Sequence, residues 1–150
     1  MLGKRKGIII CGFAGIGKTS FPDFVPYYQS TKYFDLPSTF FRKEEGWQKL
    51  YVDCAEAFAD KYDYIFVSTH DMVIDELIRR RNNFYIVYPR KQCKQEYMER
   101  FIKRGSPTDY IERFMKNWDN FVDKLDKVNC KNKISLRTGQ YLSDVISRIR

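Results

Sequence analysis

The sequence GFAGIGKT at residues 12–19 has the spacing G-x-x-x-x-G-K-S/T of a phosphate-binding loop. Its glycines let the backbone turn tightly, so that successive N–H groups can point at phosphate oxygens. Lys18 supplies a compact positive charge for the β- and γ-phosphates, and the Thr19 hydroxyl is placed to ligate a bridging Mg²⁺. This phosphate loop predicts a site for ATP or another nucleoside triphosphate with Mg²⁺. The predicted contact residues are Gly12, Phe13, Ala14, Gly15, Ile16, Gly17, Lys18 and Thr19.

The residues around the phosphate loop favour this interpretation. The run KGIIIC at residues 6–11 predicts a short buried strand directly before it. A helix that begins near Gly17 would add its positive N-terminal end. Pro22 and Pro26 each remove a backbone donor, so we expect that helix to be short or kinked. The alternative is a glycine-rich turn that happens to contain Lys-Thr.

Length and composition predict a single domain over residues 1–150. This is a common size for one hydrophobic core, and aromatic residues make up 17% of the chain. The sequence contains no internal repeat, low-complexity tract or polar linker. No stretch approaches the roughly 18 apolar residues of a membrane helix, so we expect a soluble protein without a membrane partner.

The four cysteines predict neither a zinc site nor a disulfide framework. Cys11, Cys54, Cys93 and Cys130 lie far apart, and His70 is the single histidine. Reduced thiols and a cytoplasmic location are therefore expected.

The net charge of +8 is concentrated in the C-terminal half. Residues 1–75 carry 9 Lys/Arg against 10 Asp/Glu, whereas residues 76–150 carry 18 against 9. A basic surface of this kind suits nucleotide phosphates or a nucleic-acid backbone. The alternative is a solvated surface that only aids solubility.

Strand and helix patterns alternate along the chain, which predicts βαβ units and a parallel sheet. After the first strand, further strands are predicted at residues 32–36, 64–69, 84–88 and 133–136. Apolar residues at spacings of three and four predict helices over residues 47–58, 73–78, 91–104, 111–125 and 141–149. Ser106 is expected to cap the fourth of these helices, with Pro107 at its first position.

This layout resembles the small P-loop kinases, a group that includes nucleoside monophosphate kinases and shikimate-type kinases. The stretches FDLPSTF, VSTHDMVIDEL, VYPRKQCKQEYMERFIKRGS and NWDNF are similar to short nucleotide-kinase-like proteins of bacteriophages. The resemblance covers almost the whole chain. It implies a three-layer α/β fold of about five parallel strands in the order 2-3-1-4-5. Helices on both faces and a helical lid at about residues 90–106 are also implied.

The resemblance further implies a role for Asp35, which lies where shikimate-type kinases have the first aspartate of a D-x-D motif. Pro37 takes the place of the second aspartate. The strand YIFVST also lacks the acidic residue that ordinarily ends a Walker B strand. We therefore assign the outer coordination shell of Mg²⁺ to Asp35, with Ser68 or Thr69 acting through water.

Arg90, Arg100 and Arg104 are the lid candidates that the resemblance implies. Arg100 and Arg104 are four residues apart and project from one helix face, whereas Tyr97 and Phe101 lie a quarter turn away and can anchor the helix. Two guanidinium groups there suit the charge of a phosphoryl group in transfer. The alternative is ordinary surface ion pairing, such as that of Arg100 with Glu96.

The role of Asp35 determines which acceptor is expected. As a general base it would favour an alcohol, namely a nucleoside, a small hydroxy acid or the 5′-hydroxyl of a nucleic acid. As a Mg²⁺ residue it would favour a nucleoside monophosphate whose base stacks on Phe40, Phe41 or Trp47. A third interpretation is a turn cap. His70 and Trp118 are expected to be structural.

The sequence therefore predicts a Mg²⁺- and ATP-dependent phosphotransferase of the nucleoside monophosphate kinase type. Its predicted catalytic residues are Lys18, Asp35, Arg100 and Arg104, and its predicted metal residues are Thr19 and Asp35. Its partner would be a nucleotide or another small phosphate acceptor. Two alternatives stay open: a polynucleotide 5′-hydroxyl kinase, and a non-catalytic nucleotide-gated protein, which the missing Walker B acid favours. The sequence does not define the oligomeric state.

Overall fold

A computed structural model describes residues 6–18 and 32–149 of the protein. A parallel five-stranded sheet lies at its centre, in the order β2-β3-β1-β4-β5. The strands are β1 (Ile8–Gly12), β2 (Tyr33–Asp35), β3 (Tyr64–Val67), β4 (Phe84–Pro89) and β5 (Lys133–Leu136). This confirms the predicted parallel sheet and its strand order.

The central strands are apolar because both faces of the sheet are covered. Every residue of β1 and β3 is buried, as expected for continuous apolar strands of a parallel sheet. The register places Phe66 of β3 beside both Ile10 of β1 and Asp35 of β2. The carboxyl ends of these three strands therefore lie at one edge of the sheet.

Helices connect the strands. The described helices are α1 (Trp47–Phe58), α2 (Asp71–Arg79), α3 (Lys94–Lys103), α4 (Thr108–Lys116), α5 (Trp118–Lys127) and α6 (Leu142–Val145). Short 3-10 turns lie at Ser38–Phe40, Lys91–Cys93 and Ile146–Arg148. The connection from β2 to β3 contains α1, that from β3 to β4 contains α2, and that from β4 to β5 contains α3 to α5. All three connections run in the same direction across the sheet, from the β2 edge toward the β5 edge. Because such crossovers are right-handed, these helices share one face.

The prediction of one long helix over residues 111–125 is wrong, because the helix is interrupted at Asn117. The backbone of Asn117 leaves the helical conformation, so α4 ends at Lys116 and α5 begins at Trp118. The Asn117 side-chain amide donates to the Arg113 carbonyl at 2.9 Å, and such local bonds compete with a regular helix. After this break Trp118 is fully buried, and its indole N–H donates to Lys91 O at 2.8 Å.

Two other predicted helix ends differ from the structure. The residue that precedes α4 is Pro107 and not Ser106, whose hydroxyl instead accepts a bond from Arg104 Nε at 2.7 Å. The predicted closing helix is limited to α6 and the 3-10 turn that follows. The first predicted helix, with Pro22 and Pro26, lies outside the described residues.

The buried side chains form one hydrophobic cluster around the sheet. Phe13 packs edge-on against Tyr97, Phe114 and Trp118, with ring centroids 5.4 to 6.2 Å apart. Tyr97 and Phe101 of α3 are fully buried, so they anchor that helix as predicted. Within residues 6–18 and 32–149, no helix has the length and apolar character needed to cross a membrane.

Candidate nucleotide-binding site

The phosphate loop follows β1 at the carboxyl edge of the sheet, and its glycines are required by its shape. Gly15 and Gly17 have φ angles of 85° and 98°, a region that side chains with a Cβ rarely adopt. A Cβ on Gly17 would also lie 2.9 Å from the Tyr141 ring. The backbone therefore has the cradle shape that a chain of phosphates needs. Thr19 lies outside the described residues, so its metal role stays a prediction.

The apolar residues of the phosphate loop anchor it to the hydrophobic core. Phe13 and Ile16 are buried, and half-buried Ala14 packs against the same core. The Phe13 N–H donates to Val87 O at 3.0 Å, so this donor is used in the sheet and not toward a phosphate. Phe13, predicted as a contact residue, thus fixes the position of the loop.

Lys18 lies at the mouth of the loop together with two other predicted residues. Its ammonium donates to Gly12 O at 3.5 Å. The pKa of Lys18 is lowered, first by burial and then by the positive charge of Arg104, while the carboxylate of Asp35 opposes this shift. The charges of Asp35 and Arg104 therefore both act on Lys18.

Asp35 is the last residue of β2 and is exposed. The chain next to it is fixed by Tyr51 of α1, which is fully buried. The Tyr51 hydroxyl donates to Leu36 O at 2.6 Å and accepts from the Ser68 N–H at 3.0 Å. It thereby ties the ends of β2 and β3 together. The sequence placed Tyr51 in the core, and a tyrosine in an apolar stripe is the signal that its hydroxyl needs a partner.

Arg100 and Arg104, predicted as a pair, have different surroundings. The side chain of Arg100 is only 11% exposed and lies between the rings of Tyr97 and Tyr141, 4.4 and 3.9 Å from their centroids. Its guanidinium donates to Gly15 O at 2.8 Å, to Gln140 O at 2.9 Å and to Glu96 at 2.7 Å. Arg100 therefore holds the phosphate loop by its backbone, and a contact with a phosphoryl group stays a prediction.

Arg104, by contrast, is exposed, and its guanidinium lies 4.7 Å from the centroid of the Phe101 ring. Gly105 follows with a φ of 80° and ends the helical segment, as predicted. Arg90, the third lid candidate, lies after β4, with Nε 3.5 Å from Ser135 Oγ. Of the three arginines, Arg104 is the one whose charge affects Lys18.

The end of β3 carries polar residues in place of a Walker B acid. Asp71 is the first residue of α2 and pairs with Lys124 of α5 at 3.2 Å. His70 Nδ1 lies 2.7 Å from Ser68 Oγ, and its ring packs edge-on against Trp47. Partial burial lowers the pKa of His70, and the positive charge of Lys43 lowers it further. His70 is thus neutral at pH 7.

A cavity of about 350 Å³ opens beside the phosphate loop. We call it the aromatic cavity, since three of its four apolar lining residues are Phe13, Phe114 and Phe121; the fourth is Leu125. None of the residues predicted as a stacking surface is among the described residues that line it. Phe40 is 79% exposed, while Phe41 and Trp47 pack edge-on against Tyr51. The sequence predicted Phe114 only as part of a helical stripe and gave no role to Phe121.

The described residues fit a nucleotide better than a protein-bound metal cluster. In residues 6–18 and 32–149, no group of three or more His, Cys, Asp or Glu side chains is arranged to hold a metal ion. The glycine cradle and the half-buried ammonium of Lys18 suit phosphates, and Asp35 is the described carboxylate that could act toward their Mg²⁺.

A parallel sheet in the order 2-3-1-4-5, with a G-x-x-x-x-G-K loop after its central strand, defines the fold of the P-loop kinases. The structure is similar to that of shikimate kinase from Bacteroides thetaiotaomicron, with a TM-score of 0.52 and 14% sequence identity. The likeness covers 87% of this chain and 85% of that chain, and it shows the fold alone. No protein-family model matches the sequence, and a search of curated proteins finds no match.

Proposed function

We propose that the protein is a Mg²⁺- and ATP-dependent phosphotransferase that acts on a nucleoside or nucleotide. The observation that carries the proposal is the glycine cradle after β1 with Lys18 at its mouth, at the sheet edge where β2 ends at Asp35. The P-loop kinase fold supports it. A cation and a carboxylate at this edge match what phosphoryl transfer needs, which is mainly positioning and charge stabilisation.

Each residue has a separate task in this proposal. Lys18 binds the β- and γ-phosphate oxygens, and Arg104 stabilises the charge of the phosphoryl group in transfer. Asp35 accepts the proton of a hydroxyl acceptor, or orients Mg²⁺ through water if the acceptor is a phosphate. Bound Mg²⁺–ATP would supply the γ-phosphoryl group, whose bond to the β–γ bridging oxygen breaks as its bond to the acceptor oxygen forms. Arg100 and Tyr51 hold the two sides of the site in position.

Transfer of labelled phosphate from ATP tests this proposal. The acceptors are nucleosides, nucleoside monophosphates, shikimate and oligonucleotides with a 5′-hydroxyl. We expect transfer to one class by the wild type and a loss of at least a hundredfold in Lys18→Ala, since the loop lysine contacts the reacting phosphates. Lys61→Ala, which removes an exposed lysine after α1, is the matched control and should keep full activity. Full transfer by the Lys18 variant would refute the proposal.

A second candidate is a nucleic-acid ligand for the basic C-terminal half. Arg90 and Arg137 line an open cavity of about 420 Å³ after β4 and β5, where phosphates of a strand could bind. Phosphorylated oligonucleotides in the same assay would support a polynucleotide 5′-kinase. Salt-sensitive oligonucleotide binding without any transfer would support a nucleotide-gated binding protein.

A further inference from the structure

The aromatic cavity has walls that suit one chemical class of ligand. The ring of Phe114 lies between the other two walls, 5.4 Å from Phe13 and 5.2 Å from Phe121 by centroid distance. Phe114 and Phe121 are half-buried, so part of each ring faces the cavity. A volume of about 350 Å³ falls within the range of small-molecule sites. Flat apolar walls of this kind favour a planar aromatic ring.

The polar groups of the aromatic cavity lie at its rim. Thr69 and His70 follow the end of β3, and Asp71 comes next in the chain, half-exposed and paired with Lys124 of α5. A neutral imidazole can donate and accept hydrogen bonds, as the edge of a nucleobase requires. Lys124 is already paired with Asp71, so these described lining residues offer no unpaired cation for a small carboxylic acid.

The aromatic cavity adjoins the phosphate loop at one residue. Phe13 belongs both to its wall and to the phosphate loop. Thr69 lies two residues after the end of β3, and Asp35 is the last residue of the neighbouring strand β2. A ring held in the cavity would therefore lie at the same edge of the sheet as Asp35 and the phosphate loop.

We propose that the aromatic cavity binds the purine or pyrimidine ring of the phosphate acceptor. The acceptor is thus a nucleoside or a nucleoside 5′-monophosphate and not a non-aromatic hydroxy acid. This inference rests on the proposed phosphotransferase function, but its test uses binding as well as transfer. Stacking on Phe114 and Phe121 supplies affinity, and the rim residues His70 and Lys124 distinguish among bases.

The test compares ligands that differ only in the base. Binding of the four common nucleoside 5′-monophosphates, their nucleosides and ribose 5-phosphate is measured by calorimetry on the full chain. We expect at least one nucleotide or nucleoside to bind about tenfold or more tightly than ribose 5-phosphate, because one stacked base contributes that much. Phe121→Ala should remove this preference. Phe58→Ala is the matched control, since it removes a half-buried aromatic that stacks on Phe34 at 4.3 Å.

Phe121→Leu keeps an apolar side chain on α5 and serves if the alanine variant does not fold. Equal binding of ribose 5-phosphate and every nucleotide, or an unchanged base preference in both Phe121 variants, would overturn the inference. So would the absence of all binding. Transfer to shikimate that is unaffected by the Phe121 variants would contradict base binding in the aromatic cavity but support the phosphotransferase function. Base-dependent binding without any transfer would support base binding in the cavity but contradict the phosphotransferase function.

Discussion

Arg100 is the residue whose role the structure changes most. The spacing of Arg100 and Arg104 predicts two guanidinium groups on one helix face. It does not show which groups either guanidinium contacts. Arg100 contacts Gly15, which lies 85 residues earlier in the chain, and Gln140, which lies 40 residues later. Contacts between such distant residues arise from the topology of the sheet. The phosphate loop, by contrast, could be predicted because all of its residues are consecutive.

We expect Arg100→Lys to weaken ATP binding and to lower stability. A lysine cannot reproduce the planar fork that reaches Gly15 O, Gln140 O and Glu96, nor its stacking between two tyrosine rings. The free energy of unfolding should fall by about 2 kcal/mol, because at least one buried carbonyl oxygen loses its donor. Chemical denaturation and ATP calorimetry measure both effects.

Arg42→Lys, which alters an exposed and weak ion pair, is the control for Arg100→Lys and should change neither quantity. One result for Arg100→Lys would instead support the catalytic role that the sequence predicts for Arg100. If Arg100→Lys lowers kcat while ATP affinity and stability stay unchanged, Arg100 acts on the phosphoryl group and does not hold the loop.

At the scale of elements, the central strands were predictable because β1, β3 and β4 are short, mainly apolar runs. The predicted helix over residues 111–125 failed because one side chain, that of Asn117, competes with the regular backbone bonds. Apolar spacing alone is nearly the same for one long helix and for two consecutive helices. The aromatic cavity was missed for this reason, since Phe114 and Phe121 lie on separate helices that contribute to one wall.

The pair of helices α1 and α2 is joined by charged side chains. Glu76 of α2 is only 5% exposed and accepts bonds from Arg79 and Arg80, and Arg80 also reaches Asp53 and Glu56 of α1. Bonds from Arg79, followed by those from Arg80, lower the pKa of Glu76 to about 2. This network fixes the helix that carries Tyr51 against the helix that follows β3.

Acid should therefore loosen the contact between α1 and α2. The pKa of Glu76 is about 2 in the folded state and 4.5 as its ordinary value. Its stabilising effect is thus fully present above pH 4.5 and is lost as the pH falls toward 2. We expect Glu76→Gln to flatten the fall of unfolding free energy over this window, measured by urea denaturation at several pH values. Glu112→Gln, on the exposed face of α4, should leave the slope unchanged. Equal slopes in wild type and Glu76→Gln would contradict this role.

At the scale of the whole molecule, the fold places the ends of β1, β2 and β3 at one edge, and the proposed donor and acceptor sites follow from that. The alternation of strands and helices predicted a parallel sheet, and the resemblance to the P-loop kinases implied its strand order. Neither the alternation nor the resemblance could predict which side chains line the aromatic cavity, because those side chains come from loops and from helices far apart in the sequence. The donor site can nevertheless be tested without knowing the acceptor, since a ligand that binds only the folded state stabilises the entire chain.

Mg²⁺–ATP should raise the melting temperature of the wild type. At a hundredfold excess over its Kd, a ligand adds about 2.7 kcal/mol, which corresponds to roughly 5 to 10 °C for a chain of this size. Lys18→Ala should lose most of this shift, because it removes the cation at the mouth of the loop. Lys61→Ala should keep the full rise in melting temperature. An equal shift in all three proteins would place ATP elsewhere on the surface, and no shift in the wild type would show that the glycine cradle does not bind the triphosphate.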